Sequence, residues 1–180
     1  MEQFEESEMV FGPYPEDAVF RIEKSPQYTK SLMPNGVKSC EFILSRGNDI
    51  CFVEAKKSCP NQITANTPEE KKRKYKEYID EITDKMRHSL ALYASILLRR
   101  YDTAGIPAKL LHQDLSNKNI KLILVVKNAE DAWLVPLQDA LSRSIRQESR
   151  IWKCAQFFVI NEARARDKCF CCEGNTSWQN

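Results

Sequence analysis

Residues 120–126 read Ile-Lys-Leu-Ile-Leu-Val-Val, a nearly continuous apolar and β-branched run. A strand of that composition is covered on both faces, the usual condition of a strand inside a parallel sheet. It therefore asks for crossover connections and for helices on the sheet. Thr67, followed by Pro68, Glu69 and Glu70, combines a capping box with Pro at the first helical position. Tyr75, Ile79, Ile82, Met86, Tyr93, Ile96 and Leu97 then recur at helical spacing up to about Tyr101. After the strand, Leu137, Leu141 and Ile145 mark one side of another helix, and residues 157–160 form a second apolar strand. Strand, helix, strand, helix, strand predicts an α/β domain with parallel pairing in its sheet.

Upstream, Pro15 and Asp17 open a short apolar-periodic stretch containing Ala18, Val19, Ile22 and Glu23, which predicts a helix ending near Ser25-Pro26. Residues 37–44 and 50–56 read as strands. A third strand over residues 28–33 would join them through Asn35-Gly36, unless Ser25-Pro26 caps a short second helix instead. Residues 102–118 carry Gly105, Pro107 and several polar side chains and read mainly as loop. The expected organisation is a polar segment over residues 1–14, a single domain over 15–162, and a flexible, polar, cysteine-containing tail over 163–180.

With 180 residues, 42% hydrophobic and 29% charged, the chain can bury one sizeable core and is short for two domains. The formal charge of +2 does not announce a nucleic-acid binder, so such a role would need a local patch. The acidic start Met1-Glu2-Gln3-Phe4-Glu5-Glu6 lacks the features of a signal peptide, and no apolar run approaches the roughly 18 residues of a membrane span. Seven cysteines, an odd number, fit a reducing compartment. The expectation is a cytoplasmic protein without a membrane partner.

The segment over residues 37–56 carries the chemistry. Gly47-Asn48 suits a two-residue hairpin turn, and centring the turn there pairs Leu44 with Cys51, Phe42 with Val53 and Glu41 with Glu54. Ser39 then faces Lys56, and Glu54 and Lys56 share a face because side chains alternate along a strand. Two ionised carboxylates about 5 Å apart repel by roughly 3 kcal/mol at an effective dielectric of about 20. A neutralising partner is needed: Lys56, a shared proton or a divalent cation. Oxygen ligands suit Mg²⁺, Mn²⁺ or Ca²⁺, and a solvated cross-strand network would place the same residues the same way.

Glu41 on one strand and Glu54-Ala55-Lys56 on the next resemble the PD-(D/E)xK nuclease superfamily, the restriction-endonuclease-like fold. Glu23, in Ile22-Glu23-Lys24, resembles the acid many members carry on the first helix. The resemblance spans about residues 15–127 and implies a mixed central sheet flanked by helices. It further implies that Glu41 and Glu54 are metal ligands, Lys56 the catalytic lysine, and Glu23 a ligand through water. Cys40-Glu41 stands where the family name has Pro-Asp, which places the carboxylate a methylene further out.

On this reading the function is phosphodiester hydrolysis in nucleic acid, DNA first, with Mg²⁺ or Mn²⁺. A homodimer is the arrangement that would let so small a domain cut both strands of a duplex. The alternatives are a non-catalytic binding or assembly module on the same fold, and a hydrolase of small nucleotides. Lys72, Arg73 and Lys76 are the candidate phosphate contacts, although Glu69, Glu70, Glu77 and Asp80 could pair with that run. Arg143, Arg146 and Arg150 would line one helix face, His88 is expected to be structural rather than a substrate contact, and Trp133 and Trp152 are expected to pack rather than to stack on bases. Cys169, Cys171 and Cys172 are too crowded for a zinc site and belong to the tail.

Overall fold

A computed structural model describes residues 1–112, 114–154 and 156–172. The main sheet has five strands. β1 (Glu2–Glu6) and β2 (Met9–Tyr14) lie outside it, and β3 (Val19–Phe20), β4 (Phe42–Arg46) and β5 (Asp49–Lys56) form its antiparallel half. Between β3 and β4 the chain makes a short helix, α1 (Pro26–Thr29). The long helix α2 (Glu69–Leu97) and a short one, α3 (Ala108–Leu111), lead to β6 (Asn119–Val126), which runs parallel to β5. Then α4 (Asp131–Ser144) and α5 (Arg146–Ile151) precede β7 (Gln156–Asn161), parallel to β6. The chain continues through α6 (Glu162–Asp167) to β8 (Cys171–Cys172), which pairs with β2 in a second sheet of order β1-β2-β8. This is an α/β fold with a mixed five-stranded sheet flanked by helices. Among the described residues no helix is long and apolar enough to cross a membrane.

The pleat of β5 divides the core. Ile50 and Phe52 join Ile82, Met86, Leu90 and Ile96 of α2, while Cys51, Val53 and Ala55 pack on the opposite side. There Phe4, Phe11 and Tyr14 surround Phe42, with ring centroids 5.1, 5.2 and 5.8 Å from it.

The hairpin register is as expected, with Phe42 opposite Val53, Leu44 opposite Cys51, and Gly47 in the turn at φ +57°. Several local expectations are overturned. Residues 1–14 are not merely a polar lead-in, because β1 and β2 bury Phe4, Met9, Phe11 and Tyr14. Their turn places Ser7 and Glu8 at φ 52° and 61°, a conformation that Gly or Asn usually announces. Gly12 is required where β1 approaches, since a Cβ there would meet the Glu2 carbonyl oxygen at 2.6 Å.

The expected helix over residues 18–23 is instead β3 and a 3-10 turn (Ile22–Lys24), because Val19 and Phe20 gain sheet partners in Leu44 and Ile43. Residues 28–33 are not a strand. Ser25 caps α1 by accepting the Tyr28 N–H, the alternative the sequence allowed. β4 starts at Phe42, later than residue 37, because the preceding backbone is held by α2 side chains rather than by a strand. Thr67 does not cap α2; its hydroxyl accepts from the Thr64 N–H. The tail is structured as far as β8, and Cys171 is buried, so it is not flexible up to that point. The rest of it, from residue 173, lies outside the described residues.

Candidate functional site

Alternation along β5 points Glu54 toward α2, where the side chain is fully buried. An isolated carboxylate there would be very costly, so it must be paired or protonated. Its partner is Lys85, whose Nζ lies 2.8 Å from Glu54 Oε1. Glu81 is one helical turn before Lys85 on the same face of α2 and binds Lys56 Nζ at 2.7 Å. Lys56 also stands 3.5 Å from Glu54 Oε1 and is the more exposed of the two lysines.

The same face of α2 fixes Glu41. Ser89 Oγ accepts the Cys40 N–H at 2.8 Å, and His88 Nδ1 accepts the Lys38 N–H at 3.1 Å. The expected pairing of Glu41 with Glu54 is not made: the Glu41 N–H donates to the Val53 carbonyl at 3.0 Å, one position off the register that ends at Phe42 opposite Val53. The Glu41 carboxyl still reaches the Glu54 side through Lys85. Glu23 is brought in by the 3-10 turn, anchored by the buried Ile22. Lys85 Nζ lies 3.8 Å from Glu41 and 3.9 Å from Glu23, so one ammonium stands among three carboxyls. All four residues expected from the sequence, Glu23, Glu41, Glu54 and Lys56, meet here.

Their charges are strongly perturbed. Burial pushes the Glu41 carboxyl up to about 9, reinforced by its hydrogen bond with Glu23 and by the nearby Glu54 charge. Burial would raise Glu23 as well, but the hydrogen bond from Glu41 and the charges of Lys85 and Lys24 hold it below its ordinary value. Glu41 and Glu23 therefore share one proton at neutral pH. Burial raises Glu54 to about 7 against the pull of Lys85 and Lys56. For Lys85 burial works against the ammonium, yet Glu54, Glu41 and Glu23 together keep its pKa above the ordinary value.

Two features were not foreseen. Lys85 gave no motif signal, although a lysine one turn from Glu81 and next to the core residue Met86 marks the edge of an inward face. Glu6, from the end of β1, offers an oxygen within 4.8 Å of oxygens of Glu23 and Glu41, a second acid set that leaves out Glu54. Arg21 at 2.6 Å and Lys24 at 3.9 Å partly neutralise Glu6. Glu41 Oε2 and Glu54 Oε2 are buried and accept from no N–H or hydroxyl donor among the described residues. Carboxylate oxygens alone, two of them without donors, are a donor set that fits a hard divalent cation.

The other sequence candidates lie apart. Lys72, Arg73 and Lys76 are paired along α2 with Glu69 at 2.7 Å, Glu77 at 3.6 Å and Asp80 at 2.5 Å. Arg143, Arg146 and Arg150 do not share one helix, because the chain breaks at Ile145 between α4 and α5. No protein-family model, curated protein or solved structure matches the chain.

Proposed function

We propose that this chain is a metal-dependent nuclease with a restriction-endonuclease-like core, hydrolysing phosphodiester bonds in nucleic acid, DNA first. The observation that carries the reading is the convergence of Glu23, Glu41 and Glu54 on Lys85 and Lys56 at the carboxyl end of β5. Sites in open α/β sheets favour the carboxyl ends of parallel strands, and β5 pairs in parallel with β6 through the α2 crossover. One departure from the family order stands: β3, which pairs with β4, precedes Glu23 instead of following it.

Glu41 and Glu23 would hold Mg²⁺ or Mn²⁺, with Glu6 or Glu54 completing the set. Such an ion supplies Lewis-acid polarisation of a phosphoryl oxygen and lowers the pKa of a bound water. Lys85 keeps Glu54 oriented through Oε1 and leaves Oε2 to accept a proton, and a carboxyl poised at about 7 suits that task at neutral pH. Lys56, partly exposed and only loosely tied to Glu54, is placed to stabilise charge developing on the phosphate. The basic start of α2, with Lys76 about 14 Å and Lys72 about 20 Å from Lys85 along the helix axis, would contact the flanking backbone once its acidic partners are exchanged for phosphates.

A second reading, a non-catalytic module on this fold, is favoured by one observation: Lys85 already neutralises Glu54. Cleavage assays on single- and double-stranded DNA separate the two. The nuclease reading expects cutting with Mg²⁺ or Mn²⁺, none with EDTA, and loss in Glu54→Ala and Lys56→Ala. Activity that persists in both variants would remove the assignment.

A further inference from the structure

On the face of the main sheet turned away from α2 lies a cavity of about 520 Å³. Its size falls in the range of about 300–1,000 Å³ typical of small-molecule sites. The floor is apolar: Cys51 of β5 and Ile123 of β6, with Phe158 of β7 beside them. Phe170, on the approach to β8, forms a wall. The rim is cationic. Arg46, Lys121 and Lys168 line it against a single carboxylate, Asp49.

That carboxylate is already satisfied. Lys121 Nζ lies 2.5 Å from Asp49 Oδ2, and Asn119 Nδ2 donates to Oδ1 at 3.1 Å. Lys121 also stands 6.0 Å from the centre of the Phe158 ring, and the Arg46 guanidinium 5.2 Å from that of Phe170. One Arg46 N–H donates to the Lys168 carbonyl at 2.5 Å, which uses one of its five donors. Neither Arg46 nor Lys168 makes an ion pair within 4 Å among the described residues, although the Arg46 charge acts on Asp49 directly across the hairpin. The cavity therefore carries an excess of two positive charges beside two phenyl rings.

We propose that this cavity binds a small aromatic phosphate, of the nucleoside monophosphate class. A phosphate monoester carries about −1.5 to −2 charges at neutral pH, which matches the Arg46 and Lys168 excess. Arginine donates to phosphate in a bidentate fork, and the guanidinium of Arg46 is already oriented by Phe170 and the Lys168 carbonyl. Phe158, half-buried at the floor, offers a surface for a flat ring, and the Arg46 guanidinium is held beside the buried Phe170 ring. Glu54 points to the opposite side of the sheet, so this site does not depend on the nuclease reading.

Calorimetric titration of the full chain with adenosine 5′-monophosphate, adenosine and inorganic phosphate tests it, in EDTA to keep metals out. The monophosphate should bind more tightly than either component, and Arg46→Gln and Lys168→Glu should each weaken it at least tenfold. Both side chains are exposed, so the ligand-free variants should stay folded, with Arg46→Gln giving up only its Lys168 hydrogen bond and its Phe170 contact. Glu54→Gln should leave the affinity unchanged. The proposal is overturned if the monophosphate shows no saturable binding at millimolar concentration, or if phosphate alone binds as well. It is equally overturned if Glu54→Gln, rather than the two cation variants, removes binding.

Discussion

Glu41→Gln removes an ionisable group while keeping its shape, and it isolates the proton held by the acidic cluster. In the folded chain burial and Glu23 push Glu41 up to about 9, whereas an unfolded glutamate titrates at about 4.3. Between those values the folded state binds the extra proton, so stability falls as pH rises. The ideal slope is about 1.4 kcal/mol per pH unit. Below the unfolded pKa the penalty is absent, and above the folded pKa it is complete. Water entry and relaxation soften the cost of ionising a buried group, so half the ideal slope is a fair working value, about 2 kcal/mol between pH 5 and pH 8. Glu54 titrates in both proteins and largely cancels in their difference. Urea unfolding of wild type and variant in EDTA across that range measures the effect. The variant should gain about 2 kcal/mol on the wild type from pH 5 to pH 8. Mn²⁺ at about 100 times its dissociation constant should then add about 2.7 kcal/mol to the wild type only. The same metal should release protons on binding, because Glu41 must ionise to serve as a ligand. A difference that is flat with pH, or a variant that loses ground toward pH 8, would refute the shared-proton account.

Lys85→Met should cost about 3–5 kcal/mol, because it strands the buried Glu54 charge. Adding Glu54→Gln should recover most of that loss in denaturant unfolding, and purely additive losses would count against the pair. Phe42→Ala should cost about 3–5 kcal/mol, since Phe4, Phe11 and Tyr14 all pack on that ring. Near-neutral unfolding of that variant would show that the β1–β2 layer contributes little to the core.

Residues 120–126 already dictate a doubly covered strand, and the α2 periodicity dictates its helix, because both signals are long and repeat their own period. The Gly47-Asn48 turn sets the hairpin register as far as Phe42 opposite Val53, and alternation puts Lys56 on the Glu54 side, whereas Glu41 bonds one position off that register and joins the cluster through Lys85. The short pieces take their form from distant partners. Val19 and Phe20 become a strand because Leu44 and Ile43 are waiting, and the Ser7-Glu8 turn has none of the residues that normally announce it.

The site divides along the same line. Local sequence determined which carboxyls the hairpin presents, since alternation and turn geometry act over a few residues. What neutralises them depends on long-range packing. Lys85 is 31 positions beyond Glu54 and reaches it because α2 crosses the sheet. Glu6 comes from the opposite end of the chain because β1 and β2 pack on the far face of β4. A buried charge takes its partner from whatever the fold places within a few ångströms, and no spacing rule within one segment can name a residue supplied by another.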